Sequence, residues 1–167
     1  MIKLILTQII VCIIQYYIAT TEKTKNIFWV TFLFNFFNGL CYYFNGDMPT
    51  VYFYIVICVR SFVYIYKDKI KVYKWHPIIP FFFIGVQIVV GILTLDNYWQ
   101  LIPMIMPCYV CYYMWFYDTT QKLRIGNIIG NSAWFIYNTA TGLYIVAAGR
   151  LITVIMNLVT YIKRRKK

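Results

Sequence analysis

The sequence predicts an all-α membrane protein. Seven transmembrane helices are expected, as two parallel three-helix repeats joined by a linker helix, with the N-terminus outside and the C-terminus cytoplasmic. Three observations carry that expectation. The 167 residues are 62% hydrophobic and only 13% charged, whereas soluble domains carry roughly a quarter charged residues. The basic residues fall mostly between apolar runs, on one side of the expected membrane. The chain also resembles itself weakly when slid by 96–97 residues.

A bilayer core of ~30 Å takes about twenty apolar residues at 1.5 Å each. Seven segments qualify, some of them short: 4–20, 27–45, 50–66, 77–95, 99–117, 123–141 and 143–162. The first lies within MIKLILTQIIVCIIQYYIATT, which begins like a signal peptide. Cleavage would force 67-KDKIKVYK-74 outside, and no small-x-small site is clear, so an uncleaved span is expected. The second carries Thr31, Asn35, Asn38, Tyr42 and Asn45, and ends at the tight connector NGDMP. The third holds Arg60, seven residues before Lys67. The fourth, IIPFFFIGVQIVVGILTL, is the expected linker, and LDNY leads from it to the fifth. There Pro103 and Pro107, one turn apart, are expected to kink the helix. The sixth carries Asn127, Asn131, Trp134, Asn138 and Thr141. That is the spacing i, i+4, i+7, i+11, i+14 of the second span, and it sets one face of a helix. After the Thr141-Gly142 corner, the seventh holds Arg150 and Asn157 and runs into KRRKK.

Charge placement tests the count. With the N-terminus outside, the inner side receives Lys23 and Lys25, then Lys67, Lys69, Lys71 and Lys74, then Lys122 and Arg124, then residues 163–167. That is 13 of the 16 basic residues. Lys3 falls outside, and Arg60 and Arg150 lie within spans. Shifting by one helix destroys the separation. The net charge of +11 therefore serves a cytoplasmic membrane face, and nucleic acid is not an expected partner.

The self-similarity pairs Asn35 with Asn131 and Gly46 with Gly142. One residue of slip later it pairs Lys25 with Lys122, Arg60 with Asn157, Tyr64 with Tyr161 and Lys67 with Arg164. Two directly joined three-helix units cannot be parallel, because three is odd, and one extra helix restores the orientation. The division is 1–69 for the first repeat, 70–97 for the linker and 98–167 for the second repeat with its basic tail. A 3+1+3 parallel repeat is a known transporter plan, with substrate held between the repeats near the midplane.

Gln8, the Asn38 region with Gly46, Arg60, the LIP at 101–103, Arg124, Trp134-x3-Asn138-x3-Gly142 and Asn157 with the basic end form a pattern over nearly the full length. In it the chain resembles the YgjV-type bacterial inner membrane proteins, in the broader SWEET/PQ-loop (MtN3-like) group. The resemblance implies a multi-pass protein of the bacterial cytoplasmic (inner) membrane, with seven helices in 3+1+3 order. It also implies facilitated movement of small polar solutes. The chain departs from the group's namesake in having no Pro-Gln pair in span one or five.

Candidate solute-binding residues are Asn35, Asn38, Arg60, Asn131, Trp134, Asn138, Arg150 and Asn157, with Pro103 and Pro107 as candidate gating positions. Amides fix the polar edge of a ring while an indole covers its apolar face. The alternative is that these amides hold helices, its own or a partner subunit's, together. No Asp or Glu falls within a span core. Arg60 is therefore expected to snorkel to the inner face, or to favour an anionic ligand as an unpaired arginine in a cavity does. Arg150 is expected to reach Asp47 or Asp96, or to act likewise. Gly126-x3-Gly130 is expected to allow close helix approach. All five cysteines, the Cys108-x2-Cys111 pair included, are expected as free, mostly buried thiols. The lone His76 is expected as an interfacial anchor. No enzyme, cofactor or metal is expected, because no acid pair, nucleophile with base or metal-ligand spacing is present. The expected partners are the lipid bilayer, a small polar or anionic solute, and a homo-oligomer or membrane subunit.

Overall fold

In the computed structural model the described residues, 2–20, 24–117 and 120–165, contain helices and no strand. Glu22, Lys23, Asp118, Lys166 and Lys167 lie outside them. Eight α-helices follow one another: α1 (Ile2–Thr20), α2 (Thr24–Asn45), α3 (Met48–Ile65), the single turn α4 (Lys67–Ile70), α5 (Ile78–Thr94), α6 (Leu101–Phe116), α7 (Thr120–Ala140) and α8 (Tyr144–Arg165). A turn of 3-10 helix, Tyr98–Gln100, leads into α6. The seven long helices fall on the seven expected apolar segments. By length and composition two stretches, Met48–Ile65 and Tyr144–Lys163, suffice to cross a bilayer, and Ile2–Ile18 and Ile78–Thr94 are apolar but shorter. Helices α2 and α7 fall short because their amides and tyrosines lower the hydropathy of an otherwise apolar segment.

Two corners share one construction. Gly46 and Gly142 have φ of +80° and +78°, where a Cβ would be strained. Asp47 N–H donates to Tyr42 O at 3.0 Å and Gly46 N–H to Tyr43 O at 3.1 Å. Leu143 N–H donates to Asn138 O at 2.8 Å and Gly142 N–H to Thr139 O at 3.4 Å. Both are Schellman caps, which satisfy terminal carbonyls and turn the chain sharply. Asp47 then caps α3, its Oδ1 accepting from Thr50 N–H at 3.2 Å, with Pro49 in the first turn.

Six long helices close a ring. α1 packs on α2, α2 on α3, α3 on α6, α6 on α7, α7 on α8, and α8 back on α1. Helix α5 lies outside it against α3 and α6. The ring is apolar outside and polar within. On α8, Ile145, Leu151, Ile152, Ile155, Leu158 and Ile162 are exposed, while Arg150, Thr153 and Asn157 are buried. On α3, Ile55, Val59 and Phe62 face out while Arg60 and Ser61 face in. Water would reverse that order, and hydrocarbon favours it. Tyr16, Trp29, Tyr66, Trp75, Tyr98, Trp99 and Tyr144 are exposed near helix ends, where amphipathic rings meet a membrane interface.

Candidate functional site

The polar interior is organised around Arg150, which is 2% exposed. Its Nη1 donates to Asn131 Oδ1 at 3.0 Å. Its Nη2 donates to Asn38 Oδ1 at 3.0 Å and to Tyr54 Oη at 3.2 Å. The guanidinium carbon lies 4.6 Å from the Phe34 ring centre and 5.6 Å from that of Trp134, so two aromatic faces share its charge. Helices α2, α3 and α7 thus converge on one cation from α8. Its hydrogen-bond partners are neutral, and the expected reach to Asp47 or Asp96 does not occur. Asp47 instead caps α3 and accepts from the Tyr137 hydroxyl at 2.7 Å, while Asp96 N–H binds Gln100 Oε1 at 2.7 Å.

The amides are fixed by their neighbours. Asn131 Nδ2 donates to Asn127 O at 2.7 Å, so its Oδ1 is left for Arg150 and for Gln15 Nε2 at 3.1 Å. Asn38 Nδ2 donates back to Phe34 O at 2.7 Å. Asn35 Nδ2 donates to Ser61 Oγ at 2.9 Å.

Arg60, 4% exposed, does not snorkel. It stands on the buried face of α3 with Phe53, Ile57 and Tyr64, and its Nη1 donates to Pro107 O at 2.9 Å. Its buried Nε has no partner among the described residues, and the Cys111 thiol lies close to the same guanidinium. Pro107 lies inside the continuous helix α6. Pro103 occupies the first turn, where no intrahelical donor is lost.

Arg60 and Arg150 line one cavity of about 80 Å³, whose wall is drawn from α1, α2, α3, α6, α7 and α8. A single water needs roughly 10–15 Å³ on this measure, so there is room for several waters or a small solute. Asn35, Asn131 and Trp134 line it too; Asn38 stands behind Arg150, and Pro107 lies at the wall. Asn138 and Asn157 do not line it. Tyr42 donates to Asn138 Oδ1 within the aromatic cluster of Tyr42, Tyr54, Trp134 and Tyr137, whose neighbouring ring centres lie 5.2–6.1 Å apart. The Tyr137 hydroxyl also meets Thr50 Oγ1 at 2.7 Å. This cluster stands between the cavity and the two glycine corners. Asn157 lies 3.5 Å from Nη1 of the buried Arg124, towards the opposite end.

Four contributors were not singled out from sequence as site residues: Gln15, Phe34, Tyr54 and Arg124. Gln8 and Gln15 stand seven apart on α1 and are both buried, a periodic signal available in the sequence. Tyr54 carries none, being one of 17 tyrosines. Gly126 abuts the Tyr113 ring and Gly130 faces Val110, so the GxxxG pair packs α7 against α6. Cys111 Sγ lies 3.3 Å from Pro80 O and Cys108 Sγ 3.2 Å from Met104 O, and all five thiols are free. His76 stacks loosely on Trp115, with ring centres 6.3 Å apart. Among the described residues no group of three His, Cys, Asp or Glu side chains is placed to hold a metal.

An all-helical bundle with an apolar exterior and a buried layer of amides and arginines defines an integral membrane protein. The chain belongs to a family of bacterial inner membrane proteins, Imp-YgjV, whose model matches residues 3–167. No curated protein and no solved structure matches it.

Proposed function

We propose that the chain is a transporter or facilitator of a small polar solute, which passes through the central cavity by rocking of two parallel three-helix repeats. The repeats are 1–69 and 98–167, α5 is the linker helix, and the arrangement is the SWEET-like 3+1+3 plan with the N-terminus outside. The cavity carries this reading: it is walled by all six repeat helices and by neither loops nor the linker. The matched caps at Gly46 and Gly142 support the repeat. The aromatic cluster with Asp47, Thr50 and Tyr137 seals one end. The lining residues Ile18, Thr31, Met114 and Gly126 sit near the ends that carry the basic loops, so the state is closed outward. The role is non-enzymatic.

A test compares wild-type protein in liposomes with Asn131→Ala and Trp134→Ala across a solute panel of sugars, nucleosides, vitamins, amino acids and organic anions. Saturable flux that both substitutions abolish, with helicity and monodispersity intact, is the expected result. Absence of flux for every solute overturns it. The alternative is a non-transporting subunit, favoured by one observation: each of Asn35, Asn38, Asn131, Asn138 and Asn157 is hydrogen-bonded within the chain. For such a subunit the same substitutions would release a co-purifying partner or lower stability without touching any flux.

A further inference from the structure

We infer that the solute of this cavity is a small monovalent anion with a planar oxyanion group, a short monocarboxylate, bound between Arg60 and Arg150. The inference rests on the transport reading and narrows it to a chemical class.

Charge comes first. Two guanidiniums line the cavity and no Asp or Glu does. Arginine stays protonated in proteins, so the site cannot relieve itself by losing protons. The partners of Arg150 are two amide oxygens, a phenol and two aromatic faces. Arg60 has the Pro107 carbonyl, the Tyr64 ring at 5.8 Å and the Cys111 thiol. These groups solvate charge without neutralising it. Within a membrane, an arginine with neutral partners that faces a cavity calls for a counter-ion, and a mobile anion would supply it.

Hydrogen bonding adds to the charge argument. Asn131 and Asn38 use both oxygen and nitrogen, and the Asn35 nitrogen is bound to Ser61. Nε of each arginine has no partner, and neither has Gln15 Oε1; the wall also carries the Asn127 side chain and the Thr31 hydroxyl. A neutral polyol could use these groups but would leave both charges without a counter-ion. A carboxylate answers the charges and matches the guanidinium fork. A cation is excluded by both charges.

Size and walls set the body. About 80 Å³ is well below the 300–1,000 Å³ of pockets for drug-sized ligands. Ile18, Ile57, Val110 and Met114 add apolar wall to the same cavity. A carboxylate with a short aliphatic body satisfies both.

The purified full chain in detergent would be titrated calorimetrically with sodium acetate, lactate and benzoate, against sodium chloride, glycerol and ribose at matched ionic strength. The same set would be run as liposome uptake under a potassium diffusion potential, positive inside. Acetate or lactate should bind saturably and enter with the potential, while glycerol and ribose do neither. Arg60→Gln should weaken binding about tenfold or more, the scale of a lost charge-assisted bidentate pair. Arg60→Lys, which keeps the charge but not the fork, should fall between. If Arg60→Gln does not fold, the lysine variant and the wild-type anion series still decide. Saturable binding of ribose or glycerol with no carboxylate response overturns the inference and leaves transport standing. Chloride binding as tightly as acetate overturns the planar class. Carboxylate binding without flux of any solute retains the site and overturns transport. No response to any carboxylate overturns the inference outright.

Discussion

Tyr42 and Asn138 stand 96 residues apart and meet side chain to side chain, the phenol donating to the amide oxygen. Arg150 and Tyr54 do the same at 3.2 Å across the same interval of 96. The interval is that between the two glycine corners, so under the proposed two-repeat reading positions that correspond along the chain also touch in space. That is the arrangement expected where two like units face each other across a pseudo-two-fold axis.

The Tyr42–Asn138 contact should be worth measuring as a pair. Tyr42→Phe leaves the buried Asn138 oxygen without its donor, at a cost of about 1–3 kcal/mol. Tyr42→Phe with Asn138→Leu should cost less than the sum of the singles, with a coupling of about 0.5–3 kcal/mol. Thermal unfolding of the four detergent-purified proteins checks this; strict additivity would mean that the contact carries no energy.

The corners should respond alike. No atom lies within 4 Å of a Cβ built on Gly46 or on Gly142, so Ala at either meets only backbone strain, about 1–2 kcal/mol. Asn should be tolerated better than Ala at both positions. A loss confined to one corner would count against their equivalence.

The GxxxG glycines should differ. A Cβ on Gly126 would lie 2.4 Å from Tyr113 Cδ1, whereas one on Gly130 would lie 3.4 Å from Val110 Cγ2. Gly126→Ala should therefore destabilise by roughly 1–3 kcal/mol through overpacking, and Gly130→Ala should stay within about 0.5 kcal/mol of wild type. Melting temperatures in one detergent suffice. Equal effects would place the close approach elsewhere.

Pro107→Ala restores a backbone donor inside α6 and removes the proline ring from the helix interior. Arg60 is anchored on the carbonyl of that same residue. A higher melting temperature with slower solute flux is the expected outcome, since a restored hydrogen bond stiffens a candidate moving element. Unchanged flux would remove Pro107 from the gate, and Pro103→Ala, in the first turn, should alter neither quantity.

The helices were readable in the sequence because span length and polar punctuation both reflect one constraint, the bilayer. The inward stripe on α7 was readable because Asn127, Asn131, Trp134 and Asn138 recur with helical period. What each side chain touches was not. The span of seven residues from Arg60 to Lys67 suggested an easy reach to the inner face, yet burial of Phe53, Ile57 and Tyr64 on the same side turns Arg60 inward. Arg150 lacked a carboxylate within range, and a chain of amides with a phenol took that place, a solution that only the packing of four helices defines. Even Lys67, expected in an inner loop, is buried, its Nζ donating to Met114 O at 2.7 Å near the end of α6.

Under the two-repeat reading, the bond from Arg150 to Tyr54 makes the halves non-interchangeable. Two copies of the second half would set guanidinium against guanidinium where a phenol now accepts. Two copies of the first would leave phenol facing phenol and no cation at that position. A single half, assembled as a homodimer, could therefore supply the shape of this chamber but not its chemistry. Fusing unlike halves into one chain guarantees that each molecule holds one such arginine at the axis, never none and never two.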